Sequence, residues 1–237
     1  MLPSFSLIIP VLNEEEILEE NIKKCVADFE RLGIDYEIII IDDGSTDASN
    51  RIAAAIAEKN PRVRLVVHEK NYGVGKAIST GIQAAGKDWV FVNPIDLPFD
   101  ILEIKNFTDR FNQYDLIVVS RVDRSANPFF RKMTSLVNYW LIKLLFNAPF
   151  TDFQHVQFYR RSLIKDLKIN STDSFGPPEL ILRLYAQGIR YTEVKAPFLP
   201  RLGGKSKYYS IGRYFKAIKE MLAFRKRWRR RDRKSVV

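Results

Sequence analysis

Trp89-Val90-Phe91-Val92-Asn93-Pro94-Ile95-Asp96-Leu97-Pro98 is an apolar run that stops abruptly at a proline and then presents a single carboxylate. Short runs rich in aromatic and β-branched side chains, bounded by turn residues, suit a strand covered on both faces. In an open α/β sheet, ligands lie in the crevice beyond the carboxyl ends of the parallel strands. The pattern therefore puts Asp96 where a ligand or a metal ion would be held.

Working outward from this run, Phe5 to Pro10 predicts a first strand. Leu12-Asn13-Glu14-Glu15-Glu16 then predicts a helix start, with Asn13 as cap and the acids at the positive end of the helix dipole. Ile17, Leu18, Ile22, Cys25, Val26 and Phe29 recur at helical spacing, which makes Cys25 a core residue. Tyr36 to Ile41 predicts a second strand, closing on Asp42-Asp43-Gly44-Ser45-Thr46-Asp47, and Val63 to Val67 a third. Asn71-Tyr72-Gly73-Val74-Gly75-Lys76 reads as a glycine turn into a helix, and Leu116 to Ser120 as a fifth strand. Strands alternating with helices imply a mostly parallel sheet with right-handed crossovers, a nucleotide-binding type of architecture to about residue 120. Beyond it the pattern predicts a helix over 129–146, apolar on most of its circumference, and an edge strand over 189–194. Residues 211–231 predict an amphipathic helix, its stripe formed by positions 211, 214, 215, 218, 221 and 222, that becomes a cationic run.

The 237 residues, 46% of them hydrophobic, suffice for one α/β domain with an appendage. That gives a domain over 1–210 and an amphipathic helix with basic tail over 211–237. A lone cysteine excludes an internal disulfide and a multi-cysteine zinc site, and with two histidines any metal must rest mainly on oxygen ligands. The net charge of +10 is uneven: between Arg225 and Lys234 eight basic residues face one acid. The body is near neutral, which argues against a nucleic-acid-binding face. No signal peptide and no membrane span is expected, so the chain is placed in the cytoplasm, peripheral on the cytosolic face of a membrane.

Three acidic turns, Asn13-Glu14, Asp42-Asp43 and Asp96, follow three apolar runs, and carboxyl ends of strands in one sheet converge on one crevice. Pro10-Val11-Leu12-Asn13-Glu14, Ile41 to Asp47, and Asn71 to Ala77, in that order, resemble the family 2 glycosyltransferases of GT-A fold. The subgroup they resemble is that of the dolichyl-phosphate mannosyltransferase-like and polyprenyl-phosphate glycosyltransferases. The resemblance continues through Ser120-Arg121, Thr151-Asp152-Phe153 and Glu193-Val194 to Arg201-Leu202-Gly203-Gly204-Lys205-Ser206-Lys207.

The resemblance implies a GT-A, Rossmann-like sheet and transfer of a hexose, with inversion, from a nucleoside-diphosphate sugar to a polyprenyl phosphate. It implies that Pro10, Glu14, Asp42 and Asp43, with Lys76 of the glycine turn, hold the nucleotide-sugar. Carboxylates suit that task, because they accept hydrogen bonds from ribose hydroxyls and base N–H groups. It implies an Asp-x-Asp holding Mg²⁺ or Mn²⁺ at the end of the central strand. Here Asp96 matches the second Asp and Pro94 replaces the first, so Asn93 is the candidate for an added oxygen. Arg121 and Arg201 are implied at the reacting phosphates and Arg131 at the acceptor phosphate; Lys205, Ser206 and Lys207 are assigned there too. Partners implied are the donor, the lipid phosphate, a membrane surface and a small membrane protein. Pro94 also defines the alternative: a weakly active or inactive homologue that binds nucleotide or lipid for a partner.

Overall fold

The computed structural model describes residues 3–122, 139–153, 156–199 and 211–232, with side chains over 216–228 of the last helix. In chain order the elements are β1 (Phe5–Val11), α1 (Leu18–Leu32), β2 (Tyr36–Asp42), α2 (Ser49–Lys59), β3 (Val63–Val67), α3 (Val74–Ala84) and β4 (Trp89–Val92). A 3₁₀ helix (Ile101–Phe107), α4 (Arg110–Gln113), β5 (Leu116–Arg121) and α5 (139–146) follow. The chain closes with β6 (Gln157–Arg160), α6 (Arg161–Ile164), α7 (Gly176–Tyr185), β7 (Tyr191–Ala196) and α8 (Ile211–Asp232).

The strands form one sheet in the order β3-β2-β1-β4-β6-β5-β7, parallel except for β6, which runs antiparallel to both β4 and β5. The chain winds outward from β1 to β3 and then returns to the other side of β1 to lay down β4. The seam between β1 and β4 is therefore the switch point at which doubly wound sheets bind ligands. Helices α1, α2 and α4 and the 3₁₀ helix cover one face; α3, α5, α7 and α8 cover the other. The Ile-rich β2 serves both faces by simple alternation: Tyr36, Ile38 and Ile40 lie on the first, Ile39 and Ile41 on the second.

Pro10 sits inside a central strand, where its missing N–H would ordinarily cost a ladder bond. The register shows why it is tolerated. The Ile8 carbonyl accepts from Asn93 N–H at 3.2 Å, so Ile8 faces β4, whereas Val11 accepts from Asp43 N–H at 2.9 Å and faces β2. Two residues after Ile8, Pro10 again faces the β4 side, but the pairing with β4 ends at Ile8 and Val92. No acceptor is left for the N–H that Pro10 lacks.

The antiparallel β6 was not evident from the sequence. It is held by Phe158, whose ring stacks on Phe91 at 4.6 Å and meets Phe5, Phe99, Phe107 and Phe111 within 6.0 Å. Burying one such ring contributes about 1.5–3 kcal/mol. Three local expectations need correction. Helix α1 begins at Leu18, not after Leu12, and Asn13 is no cap; its φ of 55° places it in the left-handed region, which asparagine tolerates. The edge strand runs over Tyr191–Ala196, paired parallel with β5. In α8 the buried positions are Ala217, Met221 and Phe224, while Leu222 is 53% exposed, so the packed stripe is rotated from the expected one. Cys25 is fully buried in the core, as its spacing predicts, and burial pushes its thiol pKa up.

Candidate active site at the β1–β4 seam

β2, β1 and β4 are adjacent, about 4.8 Å apart, and their carboxyl ends bring Pro10, Asp42 and Asn93 to one crest. Two of the acidic turns are interlocked there. The Asn13 side-chain oxygen accepts from Thr46 N–H at 2.7 Å and Asp47 N–H at 3.3 Å, while Asn13 N–H donates to Ser45 Oγ at 2.9 Å. Glu14 N–H donates to Ser49 Oγ at 2.8 Å, and Ala48 N–H donates to Glu15 Oε2 at 2.7 Å. Asn13 is thus the bridge between the β1 and β2 loops, a task its left-handed backbone serves. Glu14 itself is nearly buried.

The paired aspartates have different surroundings. Asp42 is 1% exposed and closes its own turn, accepting from Ser45 N–H and from Asn50 Nδ2, both at 2.9 Å. Asp43 gathers the glycine turn, accepting from Tyr72 N–H at 3.0 Å and Gly73 N–H at 2.8 Å. Its third partner is His68 Nδ1 at 2.7 Å, and His68 Nε2 lies 3.0 Å from Thr80 Oγ1. A carboxylate only accepts, so Nδ1 carries the proton. His68 was passed over in the sequence, although it follows β3 directly, at the same level where β2 ends in Asp42. Lys76 stands exposed on the first turn of α3.

Asp96 lies four residues past the end of β4, half-buried between buried Ile95 and Leu97. A tight turn holds it: Leu97 N–H reaches the Pro94 carbonyl at 2.8 Å, Leu97 takes a φ of 46°, and Asn21 Nδ2 clamps the Ile95 carbonyl at 2.7 Å. Asn93 is fully buried; its amide donates to the Phe99 carbonyl at 2.9 Å, and its Oδ1 has no hydrogen-bond partner among the described residues. An unpaired buried amide oxygen and a carboxylate are hard oxygen donors, the kind a divalent cation takes together with substrate phosphates and waters. Among the described residues no three carboxylate, histidine or cysteine side chains converge as a self-sufficient metal cage. Asp96 alone would need a diphosphate and waters to complete the coordination of an ion.

Arg121 ends β5. Its Nε and a terminal nitrogen reach the two oxygens of Asp152 at 2.8 and 3.3 Å, a bidentate pair buried to 13% and 3% side-chain exposure. The Phe198 ring lies 5.6 Å from the guanidinium. Glu193 on β7 holds the same loop by accepting from Thr151 N–H at 2.7 Å and Thr151 Oγ1 at 2.6 Å. Two stretches quoted for the family resemblance, 120–121 and 151–153, are thereby brought into direct contact. Arg131, Arg201, Lys205, Ser206, Lys207 and His155 lie outside the described residues.

The chain is similar to curated proteins named undecaprenyl-phosphate 4-deoxy-4-formamido-L-arabinose transferase. It is 32% identical over 207 residues to the one from Edwardsiella ictaluri, covering 86% of this chain and 62% of that one. To the one from Shewanella sediminis it is 32% identical over 209 residues, covering 86% and 61%. The chain thus spans about three fifths of the length of these relatives. In fold it is similar to crystal structures of glucosyl-3-phosphoglycerate synthase from Mycobacterium tuberculosis. One, holding Mn²⁺, UDP-glucose and phosphoglyceric acid, superposes with a TM-score of 0.70 at 18% identity, covering 94% of this chain and 80% of that one. These agree with a GT-A sheet and with the polyprenyl-phosphate subgroup expected from the motifs. The family model described as Glycosyl transferase family 2 matches residues 6–167, more than half of the sequence, and the chain belongs to that family.

Proposed function

We propose that the protein transfers a sugar from a nucleoside-diphosphate sugar to a polyprenyl phosphate, with a divalent cation, at the cytosolic face of a membrane. What supports this is that Pro10, Glu14, Asp42–Asp43 and Asp96 lie at or after the carboxyl ends of the adjacent strands β1, β2 and β4 of a family 2 sheet. The acceptor class is supported by the names of the relatives, which are undecaprenyl-phosphate sugar transferases.

In this reading the β1 and β2 turns receive the nucleoside, with Glu14, Asp42, Asp43 and Lys76 as the polar contacts. Asp96, with Asn93 behind it, would hold Mg²⁺ or Mn²⁺, which offsets charge on the diphosphate as it leaves. Arg121, already oriented by Asp152, is the cation for a reacting phosphate, a role shared with Arg201; Arg131, Lys205, Ser206 and Lys207 are the candidates for the acceptor phosphate. A lipid phosphate is an anion at neutral pH, so no strong base is needed to create the nucleophile. Alignment and charge stabilisation then carry the acceleration, and a single in-line displacement inverts the sugar carbon. Among the described residues no helix is long and apolar enough to cross a membrane. In this reading the arginine-rich end of α8 supplies contact with anionic lipid.

The test is a panel of nucleoside-diphosphate sugars with Mg²⁺ or Mn²⁺, read by thermal shift and then by sugar transfer to undecaprenyl phosphate in detergent. One donor is expected to raise the melting temperature and yield a lipid-linked sugar. Binding of no donor refutes the pocket. Binding with transfer only to soluble acceptors refutes the lipid acceptor.

A further inference from the structure

We propose that Glu220, on α8, is a positioning residue for the donor pocket, acting through residues 171–173 on the glycine turn at 73–75. The inference rests on the donor-pocket reading above.

Helix α8 reaches the second face of the sheet through Ala217, Met221 and Phe224, and the Phe224 ring lies 5.8 Å from Phe175 and 5.5 Å from Phe146. That packing fixes Glu220 against the segment leading into α7. Glu220 Oε1 accepts from Thr172 N–H at 3.1 Å and from Thr172 Oγ1 at 3.0 Å, and Oε2 lies 3.4 Å from Asp173 N–H. Lys216, one turn earlier on the helix, is 3.7 Å from Asp173 Oδ2.

The segment has no freedom on its other side. Glu179, fully buried on α7, accepts from Asn170 N–H at 3.1 Å and Ser171 N–H at 2.9 Å, and Arg183 balances it at 2.6 Å. Two carboxylates from two helices therefore hold four successive amides, those of Asn170, Ser171, Thr172 and Asp173. The carbonyls of that segment then press on the glycine turn. Gly75 N–H donates to the Thr172 carbonyl at 3.0 Å. A Cβ on Gly73 would collide with the Thr172 carbonyl oxygen, and one on Gly75 with that of Ser171. Gly73 also has a φ of 96°, which side-chain-bearing residues rarely adopt.

From there the amides of Tyr72 and Gly73 run straight to Asp43. Each link from Glu220 to Asp43 is a hydrogen bond or a backbone contact with no room for a side chain. The seat of α8 and the geometry of Asp43 are thus mutually dependent.

The test uses the full chain and two readouts. In Glu220→Ala, amide hydrogen exchange should quicken at Thr172 and Asp173 and also at Tyr72, Gly73 and Gly75. Affinity for the nucleoside diphosphate that the wild type binds, from UDP, GDP, CDP and TDP with Mg²⁺, should fall roughly tenfold, about the worth of one charge-assisted bond. Glu220→Gln keeps an oxygen acceptor for both Thr172 donors but turns an amide nitrogen, which cannot accept, toward Asp173 N–H. It should restore slow exchange at Thr172 and at residues 72–75 and recover most of the affinity, which also guards against loss of fold in the alanine variant. Glu193→Ala, which frees a different loop, should leave exchange at residues 72–75 unchanged. Quickened exchange confined to Thr172 and Asp173 overturns the inference, as does a glutamine variant no better than alanine. A wild-type chain that binds none of the four nucleotides refutes instead the donor-pocket reading on which the inference stands.

Discussion

Removing Asp152 should reveal how firmly Arg121 is held. The pair is nearly buried, and the acid is the more enclosed partner, at 3% exposure against 13%. Breaking a buried pair by deleting one member costs about 3–5 kcal/mol, because the survivor stays desolvated and unmatched. Arg121 retains some contact with water, so Asp152→Ala belongs at the lower end, about 3 kcal/mol. Arg121→Ala takes the guanidinium from the more buried carboxylate and belongs in the same range, about 3–4 kcal/mol. In a chain of this size, about 3 kcal/mol corresponds to a melting temperature lowered by roughly 6–12 °C. The double variant removes both members of the pair, so its cost should fall short of the sum of the single costs by at least about 1.5 kcal/mol. Urea denaturation of the four proteins measures this directly. Costs that add to within about 0.5 kcal/mol would refute the reasoning. Arg121 would then not depend on Asp152 for its orientation.

Further outcomes are expected. Asp96→Ala should abolish sugar transfer while leaving the urea midpoint within experimental error, and Pro94→Asp should tighten Mn²⁺ binding in a titration; an active Asp96→Ala protein removes the metal role. Glu179 is buried but bonded to Ser171, Asn170 and Arg183, which together hold its pKa below the ordinary 4.5. A depressed folded-state value stabilises the fold above pH 4.5 and loses that contribution as the pH drops through the folded value. Acid unfolding of Glu179→Gln should accordingly be less steep below pH 4.5 than that of the wild type, and identical slopes would contradict this. Truncation after Phe224 removes the eight basic residues, each contributing about 1 kcal/mol near an anionic surface. It should weaken co-sedimentation with anionic vesicles at low salt; undiminished co-sedimentation eliminates the tail as anchor.

The half of the fold that alternates strand and helix was legible because burial on both faces leaves uninterrupted apolar runs, as at 38–41 and 89–92. The strand β6 was not, because Gln-Phe-Tyr-Arg has only four residues and its stability comes from rings supplied by β1, β4 and the 3₁₀ and α4 helices. Asn13 illustrates a second limit. Asparagine before a run of acids carries the local signature of a helix cap, yet a partner 33 residues away, Thr46, decides its backbone. The candidate site was legible as a set of strand-end acids. Their division of labour was not, since only the contacts show that Asp42 closes its own turn while Asp43 reaches across to His68 and the glycine turn. The register of α8 was hidden for a related reason: the helix offers two adjacent apolar stripes, and the choice is made by Phe146 and Phe175 on other elements.

The antiparallel strand β6 also has a consequence for how the chain is made. β4 is complete at residue 92, but its second neighbour in the sheet is β6, which ends at residue 160. Synthesis adds about 5–20 residues per second, so the edge of β4 stays open on the nascent chain for roughly 3–14 s. During that interval β3, β2, β1 and β4 can assemble in order of emergence, whereas β5 must wait for β6 before it has anything to pair with. An unpaired edge next to exposed Trp89 and Phe91 is a template for another chain. Vectorial synthesis thus passes through a half-sheet that depends on chaperones or on speed, and slowing translation between residues 92 and 160 should raise the aggregated fraction without altering the native protein.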